Sequence, residues 1–429
     1  MKIKVANKSY DEVIALPRPE HRKPRKTNLF FKTLVKLLAQ SDIKATDFTW
    51  ESHGMERLAD DEPFLILMNH SSFIDLKIVS HILYPKSYNI ICTSDGFVGQ
   101  EWLIRSLGCI PTEKFVSEIK LARDMHYALH ELKCPVLMYP EASYSFDGTQ
   151  TPLPDSLGKC LKLLKVPVIS IITHGAFARD PLYNNLQIRK VKVSADVTYL
   201  LSPEEIAEKP VEELNKILKN VFTFDNFRWQ QENGIRISEP FRADGLNRVL
   251  YKCPHCGKEG QMTGKGIHLT CNSCNKVYEL TELGYLAALD GDTAFDHVPD
   301  WYAWERNEVR GEIEHGEYHL DTDVDIYMMV DFKQIYKVGC GKLKHSAEGF
   351  HLTGCDGKID FRKRPIATYG LYADYNWYEI GDMICLGDQD KMFYLFPKSS
   401  GDIVAKTRLA TEELYRLAKK ALLPMGLRS

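Results

Sequence analysis

A histidine and an aspartate lie five residues apart in the segment Asn69-His70-Ser71-Ser72-Phe73-Ile74-Asp75. An imidazole changes its protonation near neutral pH, and a carboxylate on one ring nitrogen fixes the tautomer and stabilises the charge that forms on the ring. The other ring nitrogen can then accept a proton from a hydroxyl group. The spacing alone is a weak signal, because a lone histidine is more often structural. We therefore treat His70 as a candidate general base and Asp75 as its orienting acid.

Four of the 11 cysteines form two pairs with metal-ligand spacing, Cys253/Cys256 and Cys271/Cys274. Four thiolates in two such knuckles are typical of a closed tetrahedral Zn²⁺ site with no open position for substrate. We predict a structural zinc ribbon, and a redox disulfide is the alternative. His255 lies inside the first knuckle and is not a predicted ligand.

The His70 segment needs a scaffold of strands and helices, and the surrounding sequence supplies one. Short apolar runs alternate with helical stretches from about residue 63, which predicts a mixed α/β sheet with flanking helices and active groups at strand ends. His70 follows a buried apolar run, and Asp75 comes just before a helical stretch. The expected strands are 63–68, 88–93, 136–139 and 166–172, and the expected helices are 76–83 and 119–132.

The last third of the sequence has a different pattern, with many short strands and one closing helix at about residues 414–422. It is similar in topology to pleckstrin-homology (PH) domains, which often bind lipids or peptides. The expected strands are 324–330, 333–338, 350–353, 358–361, 377–380, 383–386 and 392–396. The predicted division of the chain is a basic surface segment (1–43), an α/β domain (44–245), the ribbon (246–285), an acidic linker (286–304) and a β-rich PH-like domain (305–429).

Three further blocks follow the His70 segment in order, and they begin at Gly108, Tyr139 and Val166: GCIPTEK, YPEASYS and VPVI. In this order the four blocks resemble the glycerolipid acyltransferase family, which includes the lysophosphatidic acid acyltransferases, over about residues 44–240. The segment 235–245 is similar to bacterial members with an added cysteine domain. The resemblance implies transfer of a fatty acyl group from acyl-CoA or acyl-carrier protein to a lysophospholipid hydroxyl of the 1-acylglycerol-3-phosphate type.

The resemblance also implies roles for single residues. His70 matches the general base and Asp75 the orienting acid. The positions that match acceptor-binding or neighbouring motif residues are Asn69, Gly108, Lys114, Pro140, Glu141 and Ser143.

Two positions depart from the family pattern. Lys114 and Tyr144 stand where arginines are usual, and a lysine binds phosphate only as a point charge. Arg105, Lys159 or Arg179 are candidates to supply a second cation. Another acceptor, such as a lysoglycolipid, an aminolipid or glycerol phosphate, therefore remains an alternative. A non-catalytic lipid- or partner-binding regulator on this fold is a second one.

Residues 22–38 combine basic side chains with leucine and phenylalanine at mostly helical spacing. Such a helix can lie in a lipid headgroup layer, although packing on the domain is equally compatible with the pattern. The sequence has no run of about 18 apolar residues and no secretory signal, so we expect a cytoplasmic protein, peripheral on the inner face of the membrane. The net charge of −3 gives no strong field towards nucleic acid or away from it, and the balanced charge of the ribbon argues against nucleic acid as a partner.

Overall fold

The computed structural model describes residues 2–116, 118–398 and 403–422. The chain divides into two compact units. The α/β unit comprises Glu20–Pro181 and Gln187–Asn233, and the β-rich unit comprises Met1–Pro19, Leu182–Leu186 and Gly234–Ser429. The first strand and helix, β1 (Val5–Asn7) and α1 (Tyr10–Ile14), belong to the β-rich unit.

A seven-stranded sheet forms the centre of the α/β unit. Its order is β2-β8-β7-β3-β6-β4-β5, and only the β7–β8 pair is antiparallel. The predicted mixed sheet is thereby confirmed. The strands are β2 (Thr49–His53), β3 (Leu65–Met68), β4 (Asn89–Thr93), β5 (Cys109–Thr112), β6 (Val136–Met138), β7 (Val168–His174) and β8 (Ser194–Leu201).

Nine helices flank this sheet among the described residues of the unit. A π-helical turn, Tyr127–Glu131, continues the fifth helix of the chain. The bounds are α2 (Leu29–Ala45), α3 (Asp75–Leu83), α4 (Glu101–Ser106), α5 (Ile119–His126), α6 (Leu157–Leu164), α7 (Ala176–Arg179), α8 (Pro203–Glu208), α9 (Val211–Val221) and α10 (Asn226–Glu232).

Strand β3 lies in the middle of the sheet because its four residues, Leu65–Met68, are all apolar and fully buried. A continuous apolar run of this kind is typical of a parallel strand covered on both faces. Its neighbours β6 and β7 are parallel to it, so their carboxyl ends meet at one edge of the sheet. That edge receives the chain segments that follow all three strands, and the segment after β3 contains His70.

The β-rich unit contains two antiparallel arrangements. A four-stranded sheet carries the cysteine knuckles, and an eight-stranded sheet has the order β16-β15-β14-β13-β19-β18-β17, with β1 added in parallel to β14. The strands are β9 (Met262–Lys265), β10 (His268–Cys271), β11 (Val277–Leu280), β12 (Leu286–Ala288), β13 (Leu320–Met329), β14 (Ile335–Ser346), β15 (Gly349–Gly354), β16 (Ile359–Lys363), β17 (Tyr372–Trp377), β18 (Gly381–Gly387) and β19 (Met392–Pro397). The helices are α11 (Val298–Glu314) and α12 (Ile403–Leu422).

Three sequence expectations differ from these elements. The segment 1–43, expected to be one surface segment, is divided, because β1 and α1 belong to the β-rich unit and α2 to the α/β unit. The segment 286–304, expected to be a linker, contains β12, which pairs with β11, and the start of α11, where Pro299 suits a first helical turn. The expected strand 377–380 is a turn after β17, because Tyr378 and Glu379 adopt positive φ angles of 46° and 64°. Residues 399–402 and 423–429 of the predicted C-terminal domain lie outside the described residues. The PH-like assignment stays a prediction.

Within the described part of the chain, no helix is both long enough and apolar enough to cross a lipid bilayer.

Candidate active site

The segment that connects β3 to α3, residues 69–74, is called the His70 loop below. Its first residue, Asn69, is fully buried and links the loop to the end of β7. The Asn69 amide oxygen accepts from Thr173 N at 2.8 Å, and its nitrogen donates to Thr173 O at 3.2 Å. Through these two bonds, the side-chain amide of Asn69 holds the ends of β3 and β7 together. Its predicted contact with substrate stays a prediction.

The structure brings the predicted base and acid together. His70 Nδ1 lies 3.2 Å from Asp75 Oδ2, and the same oxygen accepts from the backbone N–H groups of Ser71 at 2.9 Å and Ser72 at 3.1 Å. The carboxylate in the first turn of α3 therefore curls back over the loop. The contact assigns the proton to Nδ1 and leaves Nε2 as the proton acceptor.

Burial and charge set the protonation of this pair. Burial lowers the pKa of His70 well below its usual range, and the positive charge of Lys114 lowers it further. The ring is therefore neutral near pH 7, as a general base requires. Burial raises the pKa of Asp75 to about 7, against the opposing effect of the Ser71 and Ser72 N–H groups on its carboxylate.

Two tyrosine rings stack on the imidazole, a role that no motif of the sequence predicts for them. The ring of Tyr139 stacks on one side of the ring of His70 at a centroid distance of 4.1 Å, and the ring of Tyr144 stacks on it at 3.9 Å. Phe73, which is largely exposed, lies 5.6 Å from Tyr144. Flat contacts of this kind restrict the rotation of the imidazole. Their only sequence signal is the pair of aromatic residues on either side of Glu141.

Glu141 ties the His70 loop to the segment after β6. Its Oε2 accepts from His70 N at 3.0 Å, and its Oε1 accepts from Thr151 N at 2.7 Å. The carboxylate is almost completely buried, as is the neighbouring Ser143. Glu141, which follows Pro140 directly, therefore contacts the loop that carries the base. The acceptor-binding roles predicted for Pro140, Glu141 and Ser143 stay predictions.

Gly108 and Lys114 lie at opposite ends of β5. Gly108 has a φ of +85°, and a Cβ there would lie 2.8 Å from Tyr88 O and 2.7 Å from Thr27 Oγ1, so the backbone needs glycine. Lys114 follows the carboxyl end of β5, at the edge of the sheet that holds His70. The charge of Lys114 therefore acts on His70, whereas Gly108 lies at the opposite end of β5.

An apolar cavity lies beside α3, which begins with Asp75. Its empty space, open mouth included, is about 760 Å³. Five lining residues come from α3, β4 and β5: Leu76, Ser80, Ile90, Cys92 and Cys109. The remaining lining residues are Thr27, Lys32, Val35, Tyr84, Lys86, Tyr88, Gly96, Ile104 and Leu107.

In the β-rich unit, the four predicted zinc ligands converge. All four Sγ atoms lie within 4.8 Å of one another, with 3.8 Å between Cys253 and Cys274 and 3.7 Å between Cys256 and Cys271. A tetrahedral site with Zn–S bonds of about 2.3 Å requires S···S distances of about 3.8 Å. The thiols are free, and their arrangement fits Zn²⁺.

The two knuckles also share one backbone geometry. Gly257 N donates to Cys253 O at 2.9 Å, and Asn275 N donates to Cys271 O at 2.8 Å. Gly257 and Asn275 have positive φ angles of 70° and 61°, which glycine and asparagine tolerate best. Such paired turns aim two thiols each at a common centre. Zn²⁺ bound there would join the two knuckles, so its predicted role is structural.

Comparisons with known proteins agree with this site. A family model described as Acyltransferase matches residues 49–174, from β2 to β7, and so includes His70, Asp75, Lys114 and Glu141. Residues 49–174 therefore contain an acyltransferase domain, as the sequence predicts. The added ribbon and C-terminal domain lie outside the matched residues.

One similar solved structure is the 1-acyl-sn-glycerophosphate (LPA) acyltransferase PlsC from Thermotoga maritima. The two chains are 19% identical, the alignment covers 44% of this chain and 76% of that chain, and the TM-score is 0.35. No curated protein matches at a significant level. The acceptor named for PlsC is a property of that protein.

The charge of Lys114 gives a prediction for the pH dependence of activity. Lys114→Met removes a positive charge near the imidazole, so the pKa of His70 rises and the neutral, active ring is lost at a higher pH. Protonation of Asp75, whose pKa is raised to about 7, gives the upper acid limb of the kcat/KM profile, and we expect the lower acid limb, that of His70, to move up by roughly half to one pH unit. Lys120→Met, which removes an exposed charge on α5, is the control. A lower acid limb that stays in place or moves down would contradict the assignment of His70.

The cysteine cluster predicts a fixed metal content. Protein purified without oxygen should contain about one Zn²⁺ per chain by mass spectrometry, and chelation should lower the thermal unfolding midpoint of the β-rich unit. Cys256→Ser should remove the metal, whereas Cys340→Ser, which changes an exposed cysteine outside the cluster, should keep it. Metal-free protein from an anaerobic preparation would show that the site is not a zinc site.

Proposed function

We propose that the α/β unit transfers a fatty acyl group from acyl-CoA or acyl-carrier protein to the hydroxyl of a lysophospholipid of the 1-acylglycerol-3-phosphate type. The observation that carries the proposal is the contact between His70 and Asp75 at a strand end, within a matched acyltransferase domain. His70 acts as the general base.

In the proposed reaction, Nε2 of His70 takes the proton of the acceptor hydroxyl as its oxygen attacks the thioester carbonyl carbon. The C–O bond forms, the C–S bond breaks, and the imidazolium returns its proton to the leaving thiolate. Asp75 stabilises the imidazolium through Nδ1–H. The side chains of Ser71 and Ser72 are buried and hydrogen-bonded within the protein, which supports direct transfer without an acyl-enzyme.

The apolar cavity supports an acyl donor. Its wall is almost free of polar surface, and the α3 residue after Asp75, Leu76, is part of it. An alkyl chain gains free energy from such a cavity because each buried CH₂ contributes about 0.8 kcal/mol. We assign the fatty chain to this space.

The outer face of α2 supports a lipid surface as partner. Leu29, Phe30, Leu37 and Leu38 are each more than 60% exposed, whereas Ala39 and Ile43 of the same helix are buried. Trp102 of α4 is equally exposed and lies 5.9 Å, between ring centroids, from Phe31. An exposed apolar surface of this extent beside lysines is typical of helices that lie in a headgroup layer. We propose peripheral attachment to the cytoplasmic face of a membrane.

The cations around the site are also compatible with a second class of acceptor, another lyso-lipid. Arg105 Nε donates to Glu101 at 2.7 Å, and Arg179 pairs with Asp180 and Asp42, so both guanidinium groups are engaged elsewhere. Lys114 is the cation that affects His70, and a single ammonium binds phosphate without bidentate geometry. Another lyso-lipid acceptor is therefore the second candidate.

A thiol-release assay tests the activity. Wild-type protein should release thiol from long-chain acyl-CoA or acyl-carrier protein only when a suitable lyso acceptor is present, and a panel with and without phosphate monoesters separates the two acceptor classes. His70→Ala should lower turnover by about 100- to 10,000-fold, because the base is lost. His81→Ala on α3 is the control. Near-native activity of His70→Ala would refute the mechanism, and no release with any acceptor would favour a regulator.

Vesicle sedimentation tests the lipid surface. The double variant Leu37→Glu/Leu38→Glu should bind phosphatidylglycerol vesicles at least about tenfold more weakly, because two leucine side chains that enter the lipid contribute several kcal/mol to partitioning. Both side chains are exposed, so the fold should be unaffected. Leu163→Glu, which changes an exposed leucine on α6, should bind normally. Equal binding by the double variant and the wild type would exclude this face of α2.

A further inference from the structure

Behind the His70 loop lies a group of buried charges that the proposed reaction does not use. Arg179 is the last residue of α7 and Asp180 follows it, and each is only 3–4% exposed. Burying charged side chains costs free energy unless they are paired in good geometry. Their pairing therefore shows what they hold in place.

The contacts form a chain from α7 to the His70 loop on one side and to α2 on the other. Asp180 Oδ1 accepts from the Ser72 hydroxyl, and Asp180 Oδ2 accepts from Arg179 Nη1 at 3.0 Å. Arg179 Nη2 donates to Asp42 of α2, which also accepts from Lys77 of α3. Four segments of the α/β unit are thus joined by side chains alone.

Ser72 is the link to the catalytic pair. Its backbone N–H donates to Asp75 Oδ2 at 3.1 Å, while its hydroxyl donates to Asp180 and accepts from Ile74 N at 3.2 Å. Ser72 is 1% exposed, so water does not replace these partners. Ser72 therefore donates to the Asp75 carboxylate through its main chain and to the buried charge network through its side chain.

We propose that Asp180 and Arg179 are positioning residues of the acyl transfer, which hold Ser72 and, through it, the Asp75 carboxylate against His70. This inference rests on the proposed function. The hydrogen bonds of the network named above end on neither His70 nor a residue that lines the apolar cavity, although α2 and α3 contribute residues to both the network and the lining. It acts on the geometry of the base rather than on the binding of substrate.

The expected kinetic effect follows from that geometry. A catalytic group must be held within a fraction of an ångström of its productive position, and a displacement of about 1 Å can cost a hundredfold in rate. Loss of the Ser72–Asp180 bond leaves Asp75 with its N–H donors but frees the loop to shift. The loss should therefore appear in kcat, while KM for donor and acceptor stays within about twofold.

A double-mutant cycle tests the link. Ser72→Ala removes the hydroxyl and keeps the N–H. Asp180→Asn leaves one acceptor oxygen, which the donor-only guanidinium of Arg179 takes, so the NH2 group faces the Ser72 hydroxyl and the bond that this hydroxyl donates is lost. Each should lower kcat about 10- to 100-fold, and the double variant should lose no more than the worse single variant, because both break one bond. Arg179→Lys should recover part of the kcat that Arg179→Met loses.

Asp124→Asn is the matched control. Asp124 is also a buried carboxylate with one partner, His21 Nε2 at 2.9 Å, but it belongs to a separate ion pair. Its variant should keep the wild-type kcat, and any effect should add to that of Ser72→Ala. Thermal unfolding of every variant identifies those that lose kcat only because they unfold.

Three outcomes would overturn the inference. The first is a wild-type kcat for both Ser72→Ala and Asp180→Asn in an enzyme that is active. The second is additive losses that follow the unfolding midpoint in all variants, the control included, since the network would then only stabilise the fold. The third is a wild-type protein that releases no thiol in any assay. This result refutes the proposed function together with the inference, whereas the first two outcomes refute the inference alone.

Discussion

The site depends on a carboxylate that is buried against an imidazole. Asp75 can remain there because one of its oxygens collects three hydrogen-bond donors, two of which are main-chain N–H groups of the loop that carries the base. Such a loop can form only at the end of a fixed strand, and β3 is fixed because it is apolar throughout and paired on both sides. The sheet, the loop and the acid–base pair therefore constrain one another.

The surroundings of His70 favour a ring that is neutral before reaction and cationic during it. Burial and Lys114 disfavour the imidazolium in the resting site, while in the proposed reaction the Asp75 carboxylate favours it once the acceptor proton has been transferred. The two tyrosine rings also offer their faces to a charged ring, an arrangement that attracts cations. The same lysine that opposes the ring proton would attract an anionic acceptor, so it links acceptor charge to the strength of the base.

Local features of the sequence predicted the central elements well. The apolar runs at residues 63–68 and 136–139 became β3 and β6, and the spacing of His70 and Asp75 placed both at the junction of a strand and a helix. The four cysteines converge as their spacing predicted. The strands and the His70–Asp75 pair depend on residues that are close in the sequence, and the cysteine cluster follows from the spacing typical of metal ligands.

Features set by distant contacts were not predicted. The stacking of Tyr139 on His70 requires the end of β6 to lie close to the end of β3, and the hydrogen bond between Ser72 and Asp180 joins residues 108 positions apart in the sequence. The acidic composition of 286–304 concealed β12, a strand of three residues defined by its pairing with β11. At Tyr378 and Glu379, positive φ angles end β17, where a strand over residues 377–380 had been predicted.

The position of Asp42 has a consequence for the design of shortened chains. This residue lies on α2, the helix with the exposed leucines, yet its carboxylate is the counter-ion of Arg179 and Lys77. A chain that begins after α2 would lose its exposed leucines and would also leave the buried guanidinium of Arg179 without one of its two carboxylate partners. Inactivity of such a truncation would therefore reflect an electrostatic defect beside Ser72 as much as detachment from lipid, and substitutions on the outer surface of the intact helix separate the two.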